Sequence, residues 1–159
     1  MVSEKDRMFL GHAVALAEEG MLNGQGGPFG CVIVKDGQVV GTGFNRVTST
    51  NDPTAHAEVV AIRDACARLG TFQLAGCTVY TSCEPCPMCL GAIYWARPER
   101  VYCAASRTNA AEAGFDDAFI YEEIALPVEK RRIPFVFYHE HRFLEPFRKW
   151  HHQTRRRNY

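Results

Sequence analysis

Apolar positions near the start of the chain recur every three or four residues, as they do on one face of an amphipathic helix. These positions are Phe9, Ala13, Leu16 and Ala17. Ser3 and Asp6 stand three residues apart just before this run, a spacing that resembles a capping box, and Gly20 can end a helix. The pattern therefore predicts an opening helix that turns one apolar face toward a core.

Two β-rich runs follow, at residues 31–34 and 39–44. Between them lies Asp36-Gly37, a dipeptide that readily adopts the positive φ angles of a two-residue hairpin turn. The two runs are therefore predicted to be antiparallel neighbours. Residues 45–54 are largely polar and predict a loop.

The rest of the chain alternates between helical and strand patterns. One helix should end at Gly70 and carry His56 and Glu58 in its first turn, with a buried stripe at Val59, Ile62, Cys66 and Leu69. Another should begin at Pro85, since proline is tolerated at a helix start, and end at Ala96. The remaining predictions are strands at 77–81, 100–105 and 133–138 and helices at 116–125 and 144–156. This alternation predicts one α/β domain over residues 1–159, with a mixed sheet covered on both faces.

The composition and charge bear on the kind of substrate that the chain binds. Hydrophobic residues make up 47% and charged residues 23%, as in a soluble globular protein, and the 18 basic and 18 acidic side chains cancel. A neutral chain has no overall field that attracts nucleic acid or an anionic membrane, which favours a small uncharged substrate. Residues 155–157, all arginine, are either a solvated terminal face or a phosphate contact. Because neither a signal-peptide pattern nor a membrane-spanning apolar run occurs, the expected location is the cytoplasm.

Two short motifs carry the chemistry, His56-Ala57-Glu58 and Pro85-Cys86-Pro87-Met88-Cys89. Zinc binds imidazole and thiolate tetrahedrally, so one histidine and two cysteines fill three positions and leave the fourth for water. The positive end of a helix dipole favours both cysteines as thiolates. Glu58 is the predicted proton carrier, because hydrolysis needs a group that takes a proton from water and passes it on. In an ideal helix His56 and Glu58 would point about 200° apart, so their convergence needs a departure from helical geometry.

The cysteines also allow other kinds of site. Cys83 could complete a closed structural zinc site, or three thiolates could hold part of an iron–sulfur cluster. A non-catalytic, zinc-stabilised interaction module would need no Glu58, whereas an open catalytic site uses every part of both motifs. The remaining cysteines lie in apolar patterns and are expected in the core: Cys31, Cys66, Cys77 and Cys103.

Together, H-x-E and P-C-x-x-C form the signature of zinc deaminases. Longer segments resemble the small bacterial guanine deaminases of the cytidine deaminase-like superfamily almost word for word: residues 26–30, 51–58, 81–96 and 110–117. The resemblance covers nearly the whole chain and is weakest near the C-terminus. It implies a three-layer α/β/α sandwich with a mixed five-stranded sheet. It also implies one Zn²⁺ per subunit, held by His56, Cys86 and Cys89, with Glu58 as the catalytic acid and base.

The same resemblance implies hydrolytic deamination of guanine to xanthine and ammonia, a step of purine salvage or catabolism. Asn45 would then bind the base edge, Phe29 and Trp95 would flank its faces, and Asp117 would lie near the departing amino group. Each residue could instead have an ordinary structural role, since the aromatic residues could be core, Asp117 a helix cap and Asn45 a turn residue.

Deaminases of this type exchange C-terminal segments between two subunits, which implies a homodimer in which Tyr159 reaches the partner's site. The alternative is a tRNA adenosine deaminase, which shares both motifs but must also grip a polyanion and extrude its base. Net neutrality counts against it, and residues 104–117 match the guanine deaminase pattern instead. A deaminase of another free base is also open.

Overall fold

The computed structural model describes residues 2–159. The chain forms two compact units, and the division falls between Ala118 and Phe119. The first unit contains the β-sheet and both predicted zinc motifs. The expectation of a single domain over the whole chain stays a prediction.

Among the described residues, four strands form the sheet: β1 (Gly30–Lys35), β2 (Gln38–Phe44), β3 (Cys77–Cys83) and β4 (Arg100–Ala105). Their spatial order is β2-β1-β3-β4. Strand β1 pairs antiparallel with both β2 and β3, whereas β3 pairs parallel with β4. The sheet is therefore mixed, as predicted. The predicted hairpin turn is also confirmed, since Asp36 and Gly37 have φ angles of 50° and 77°.

The helices of the first unit are α1 (Glu4–Leu22), α2 (Val47–Thr50), α3 (Ala57–Leu69), α4 (Pro87–Ala96) and α5 (Arg107–Glu112). Because successive strand residues point to opposite faces, the sheet has two cores. On one face α1 contributes Phe9 and Ala13 to a cluster with Val32, Val34 and Tyr80. On the other face α3 and α4 pack against Cys31, Ile33 and Val79. The α/β/α layering agrees with the prediction.

The second unit begins within α6 (Ala118–Ala125), whose first residue belongs to the first unit. It contains two 3-10 turns, Val128–Lys130 and His141–Leu144, and the closing helix α7 (Glu145–His152). Within residues 2–159, no helix is both long enough and apolar enough to cross a membrane.

The prediction of a fifth strand at residues 133–138 is wrong for this structure. A strand needs a neighbour for its backbone hydrogen bonds, and the described residues of the second unit contain no strand that could pair with this one. Pro134 also removes one backbone donor from the segment. Its large apolar side chains are exposed, among them Val136 at 91%.

Several predicted boundaries also shift. Helix α1 continues past Gly20 to Leu22, and the predicted polar loop contains the short helix α2. Helix α4 begins at Pro87 rather than at Pro85, because Pro87 occupies the first helical position, where a missing N–H costs no hydrogen bond. Helices α6 and α7 are shorter than predicted.

Candidate active site

Two helix N-termini meet at the candidate site. His56 is the N-cap of α3 and Cys86 is the N-cap of α4, and both have extended backbone, with ψ of 155° and 167°. Glu58 and Cys89 follow inside the first turns of these helices. Because His56 lies outside the helical geometry, the 200° separation expected between His56 and Glu58 does not apply, and both side chains line one cavity.

The donor atoms of His56, Cys86 and Cys89 all lie within 4.8 Å of one another. His56 Nδ1 is 3.5 Å from the Sγ atom of each cysteine. Tetrahedral zinc with ordinary Zn–N and Zn–S bonds would separate these atoms by about 3.6 Å, so the donor set fits zinc in both chemistry and spacing.

Cys83 does not belong to this three-residue group among residues 2–159. Its thiol instead donates to the Ser106 carbonyl oxygen at 3.4 Å. The arrangement therefore favours an open three-ligand site over the closed four-ligand site that the sequence left open.

Cys86 is the residue of the cluster that carries the negative charge of a thiolate most readily. Hydrogen bonds from Cys89 and with His56 lower the pKa of the Cys86 thiol to about 4. The hydrogen bond with Cys86, together with burial, raises the pKa of Cys89, and the contact with Cys86 also raises the pKa of His56. The cluster thus offers one ready thiolate, and a binding cation must displace the proton of Cys89.

Glu58 is a buried carboxylate beside this cluster, with 6% of its surface exposed. Its Oε1 atom accepts a hydrogen bond from the Thr81 hydroxyl at 3.3 Å. Burial is the main cause that raises its pKa above the usual value. A carboxyl group with a raised pKa suits proton transfer near neutral pH.

A cavity of about 350 Å³ opens beside the cluster and is lined by residues of the first unit. This volume lies at the small end of the range of about 300–1,000 Å³ that is common for small-molecule sites. Phe29 and Phe115 form an apolar wall, with ring centroids 4.9 Å apart in an edge-to-face arrangement. The size and walls suit a small planar ligand.

Asn45 is buried in the cavity wall with a fixed orientation. Its Oδ1 atom accepts hydrogen bonds from the backbone N–H groups of Gly27 and Val47, at 3.3 and 3.1 Å. A Cβ atom on Gly26 would come within 2.2 Å of the same oxygen, so glycine is needed there for close approach. Since the oxygen is committed to the backbone, the amide nitrogen is the group available to a ligand.

Asp117 also lines the cavity, and burial followed by the nearby charge of Cys86 raises its pKa. Its neighbour Asp116 accepts a hydrogen bond from the Ala118 N–H at 2.9 Å. The capping role that the sequence left open for Asp117 therefore belongs to Asp116, and Asp117 remains available to the cavity.

A family model described as the cytidine and deoxycytidylate deaminase zinc-binding region matches residues 3–105, which include both motifs and the whole sheet. The chain belongs to this deaminase family. Guanine deaminase of Bacillus subtilis (strain 168) is 61% identical over 153 residues, or 95% of this chain and 97% of that protein. The X-ray structure of guanine deaminase from Bacillus subtilis matches with a TM-score of 0.94 at 59% identity, and covers 96% of this chain and 98% of that one. The predicted resemblance to bacterial guanine deaminases is confirmed.

A tRNA-specific adenosine deaminase of Buchnera aphidicola subsp. Schizaphis graminum is also similar, at 33% identity over 84% of each chain. Deaminases with different substrates thus share this framework. The much higher identity to guanine deaminase favours that branch over the tRNA branch.

Two predicted site residues of this deaminase chain need separate description. Trp95 lies near the end of α4, roughly 12 Å along the helix from Pro87, and is 63% exposed. It is not among the residues that line the cavity of the first unit, because α4 starts at the site and runs away from it. Its role as a flank of the substrate stays a prediction. Tyr159 belongs to the second unit and is exposed. Its role in a partner's site stays a prediction.

Phe115 is an aromatic cavity residue that the sequence prediction missed. It follows Gly114, whose φ of +91° allows the turn between α5 and α6, and it precedes the two aspartates. An aromatic residue next to paired carboxylates in a glycine turn was the available signal. Cys103 differs from expectation in another way, since it is exposed on the edge strand β4 rather than buried.

Proposed function

We propose that this chain hydrolyses guanine to xanthine and ammonia. The observation that carries the proposal is the convergence of one imidazole, two thiols and a buried carboxylate at a small cavity with aromatic walls. The 61% identity to the guanine deaminase of Bacillus subtilis supports guanine over other bases.

His56, Cys86 and Cys89 would hold one zinc ion per subunit. When bound there, zinc supplies Lewis acidity that lowers the pKa of a coordinated water to about 7. The low pKa of Cys86 and the position of both cysteines at a helix N-terminus favour the thiolate state that such binding needs.

Glu58 moves the protons in this proposal. Its carboxylate takes a proton from the attacking water and delivers it to a ring nitrogen of the base. It then takes the proton of the new C2 hydroxyl and delivers it to the amino group, which leaves as ammonia while the C2 carbonyl forms. Burial supports this role, because it raises the pKa of Glu58 and so reduces the cost of carrying the proton between the two steps.

Asn45, Asp117 and Phe29 recognise the base. The Asn45 amide nitrogen donates to an acceptor on the purine edge, since its oxygen is held by the backbone. Asp117 accepts from the amino group that leaves. Phe29, with Phe115 against its edge, contacts the flat face of the ring, where apolar contact excludes water.

Trp95 and Tyr159 act only in an assembly in this proposal. We infer a homodimer in which the C-terminal segment of one chain reaches the site of the other, so that Tyr159 joins the partner's cavity. Deletion of Tyr159 should then lower turnover while zinc content stays the same. Unchanged turnover would remove Tyr159 from the site.

The function is tested by ammonia release from guanine, adenine, cytosine and tRNA with the wild-type protein and Glu58→Gln. Guanine should be turned over, and Glu58→Gln should lose at least ~100-fold in kcat, as expected for loss of an acid–base group. Glu112→Gln is a matched control, because Glu112 is an exposed carboxylate on α5. Ammonia release from tRNA alone would show that the substrate is tRNA and not guanine. If none of the substrates released ammonia, the proposal that the chain is a deaminating enzyme would be refuted.

A further inference from the structure

Strand β3 places a buried hydroxyl against the proposed proton carrier. Thr81 is 1% exposed, and its Oγ1 atom lies 3.3 Å from Glu58 Oε1. The same Oγ1 lies 3.0 Å from the Cys83 carbonyl oxygen. The other inward-facing residues before it on this strand, Cys77 and Val79, are apolar core residues. Thr81 is therefore a polar group in an apolar row, and it stands where the row reaches Glu58.

A threonine hydroxyl has one proton and can donate to one acceptor fully at a time. Its local bond to the Cys83 carbonyl would be enough to satisfy a buried hydroxyl. The contact with Glu58 is thus not needed to satisfy the hydrogen-bonding capacity of the buried hydroxyl. An ionised carboxylate is also the stronger of the two acceptors, because charge-assisted hydrogen bonds are stronger than neutral ones.

The geometry also suits a positioning role. The last torsion of a glutamate side chain is broad, so an unrestrained carboxylate rotates easily. Threonine is stiff at χ1 because it is branched at Cβ, and its methyl group is packed in the core. A hydroxyl held in this way can fix one carboxylate oxygen and leave the other for the reacting groups.

We propose that Thr81 is a positioning residue that holds Glu58 Oε1 and so orients the carboxylate for proton transfer. The inference rests on the proposed function, because it acts through Glu58. Proton transfer requires heavy atoms within about 2.6–3.2 Å, so a rotated carboxylate slows the chemical step more than it weakens substrate binding.

The test compares Thr81→Val, which keeps the shape and removes the hydroxyl, with Thr81→Ser, which keeps the hydroxyl. Thr81→Val should lower kcat for guanine about 10-fold, in line with a hydrogen bond to a charged group, while KM changes less than about 2-fold. Thr81→Ser should recover most of the loss. Thr78→Val is the matched control, because Thr78 lies on the same strand and faces the opposite side of the sheet. Zinc content and Tm of each variant show whether it is folded and loaded.

A second measurement does not depend on turnover. Crystal structures of the metal-free wild type and Thr81→Val should show Glu58 Oε1 against Thr81 in the first and a rotated or split carboxylate in the second. A wild-type kcat in Thr81→Val, or an unchanged carboxylate, would overturn the inference and leave the proposed function standing. Loss of kcat in both Val and Ser variants would point to packing and also overturn it. If the wild type releases no ammonia from guanine, the proposed function fails and the crystal comparison alone decides the role of Thr81.

Discussion

Neighbouring residues of strand β3 point to opposite faces of the sheet and use their hydroxyls differently. Tyr80 faces α1, where its hydroxyl donates to Asp6 Oδ1 at 2.7 Å and its ring stacks on Tyr102. Thr81 faces α3, where its hydroxyl meets Glu58 beside the cavity. On the α1 face the polar groups bind one another, whereas on the α3 face they converge on space that a ligand can fill.

The helix N-caps show the same contrast. Ser3 caps α1 with its side chain, and Asp6 completes the capping box. His56 and Cys86 make no side-chain capping bond to α3 and α4, and their donor atoms point at each other instead. The sheet face that carries α3, α4 and the cavity is the reactive face. Its two helices lack a side-chain cap, and metal ligands stand at the cap positions instead. Substitutions at the helix starts can therefore test the two faces separately.

Cys86→Ser should give the largest effect. Serine is a favourable N-cap, so the metal-free chain should gain about 1 kcal/mol in unfolding free energy. The zinc site loses a thiolate, so bound zinc and guanine turnover should fall to background. Metal analysis, urea unfolding with a chelator and ammonia release measure the three quantities.

Cys83→Ser is the control for that experiment, since the Cys83 thiol bonds to Ser106 and not to the cluster. It should keep zinc and turnover. Loss of zinc in Cys83→Ser would mean that Cys83 is a fourth ligand and that the site is closed.

Two glycines of β2 allow α3 to pack closely against the sheet. A Cβ atom on Gly43 would come within 2.4 Å of the Ala57 carbonyl oxygen, next to His56, and one on Gly41 would come within 2.6 Å of Ala65 Cβ. Gly43→Ala and Gly41→Ala should each lower the unfolding free energy by about 3 kcal/mol, because α3 must move. Only Gly43→Ala displaces the start of the helix, so it should also weaken zinc binding more than ~10-fold.

Chemical unfolding and zinc titration of both variants provide the comparison. Equal zinc affinities would show that the start of α3 does not depend on its contact with Gly43, and the close approach would then matter for stability alone.

Much of the fold and the metal-ligand set was predictable from residue patterns. The β-rich runs predicted strands β1 and β3, Asp36-Gly37 predicted the hairpin, and the pairing of His56 with Cys86 and Cys89 predicted the ligand set. These features depend on neighbours in sequence or on a donor set that one cation demands. Local patterns are sufficient for such features.

Features that depend on distant contacts were harder to predict. Residues 133–138 have the composition of a strand, but pairing decides whether a strand forms, and the sequence does not show the partner. The family resemblance implied that Trp95 flanks the base, but α4 carries it away from the cavity of the first unit, so this role depends on contacts that local patterns do not show. Phe115 gained its place only through the turn at Gly114 and the contact with Phe29.

Phe115 offers a smaller test of the reactive face. Phe115→Ala removes the edge-to-face contact with Phe29, and an aromatic pair contributes about 0.5–1.5 kcal/mol, so KM for guanine should rise about 3- to 10-fold. Phe72→Ala is a matched control, since both rings are 44% exposed and Phe72 does not line the cavity. Steady-state kinetics of the two variants decide between a wall of the site and an ordinary surface aromatic.

The smallest effect on turnover is expected on the α1 face, where Asp6→Asn should change stability and leave kcat and zinc content unaltered. Hydrogen bonds from Ser3, and then from Tyr80, lower the pKa of Asp6 to about 2, below its unfolded value of about 3.9. A lowered folded pKa stabilises the protein above the unfolded pKa, and this contribution is lost as the pH falls toward 2. The wild type should therefore be more stable than Asp6→Asn at pH 7, and the difference should shrink below about pH 4. Urea midpoints from pH 7 to pH 3 measure the difference, in which acid effects common to both proteins cancel. A difference that does not vary with pH would mean that the carboxylate charge contributes nothing on this face, and a fall in kcat with zinc retained would mean that the two faces are coupled.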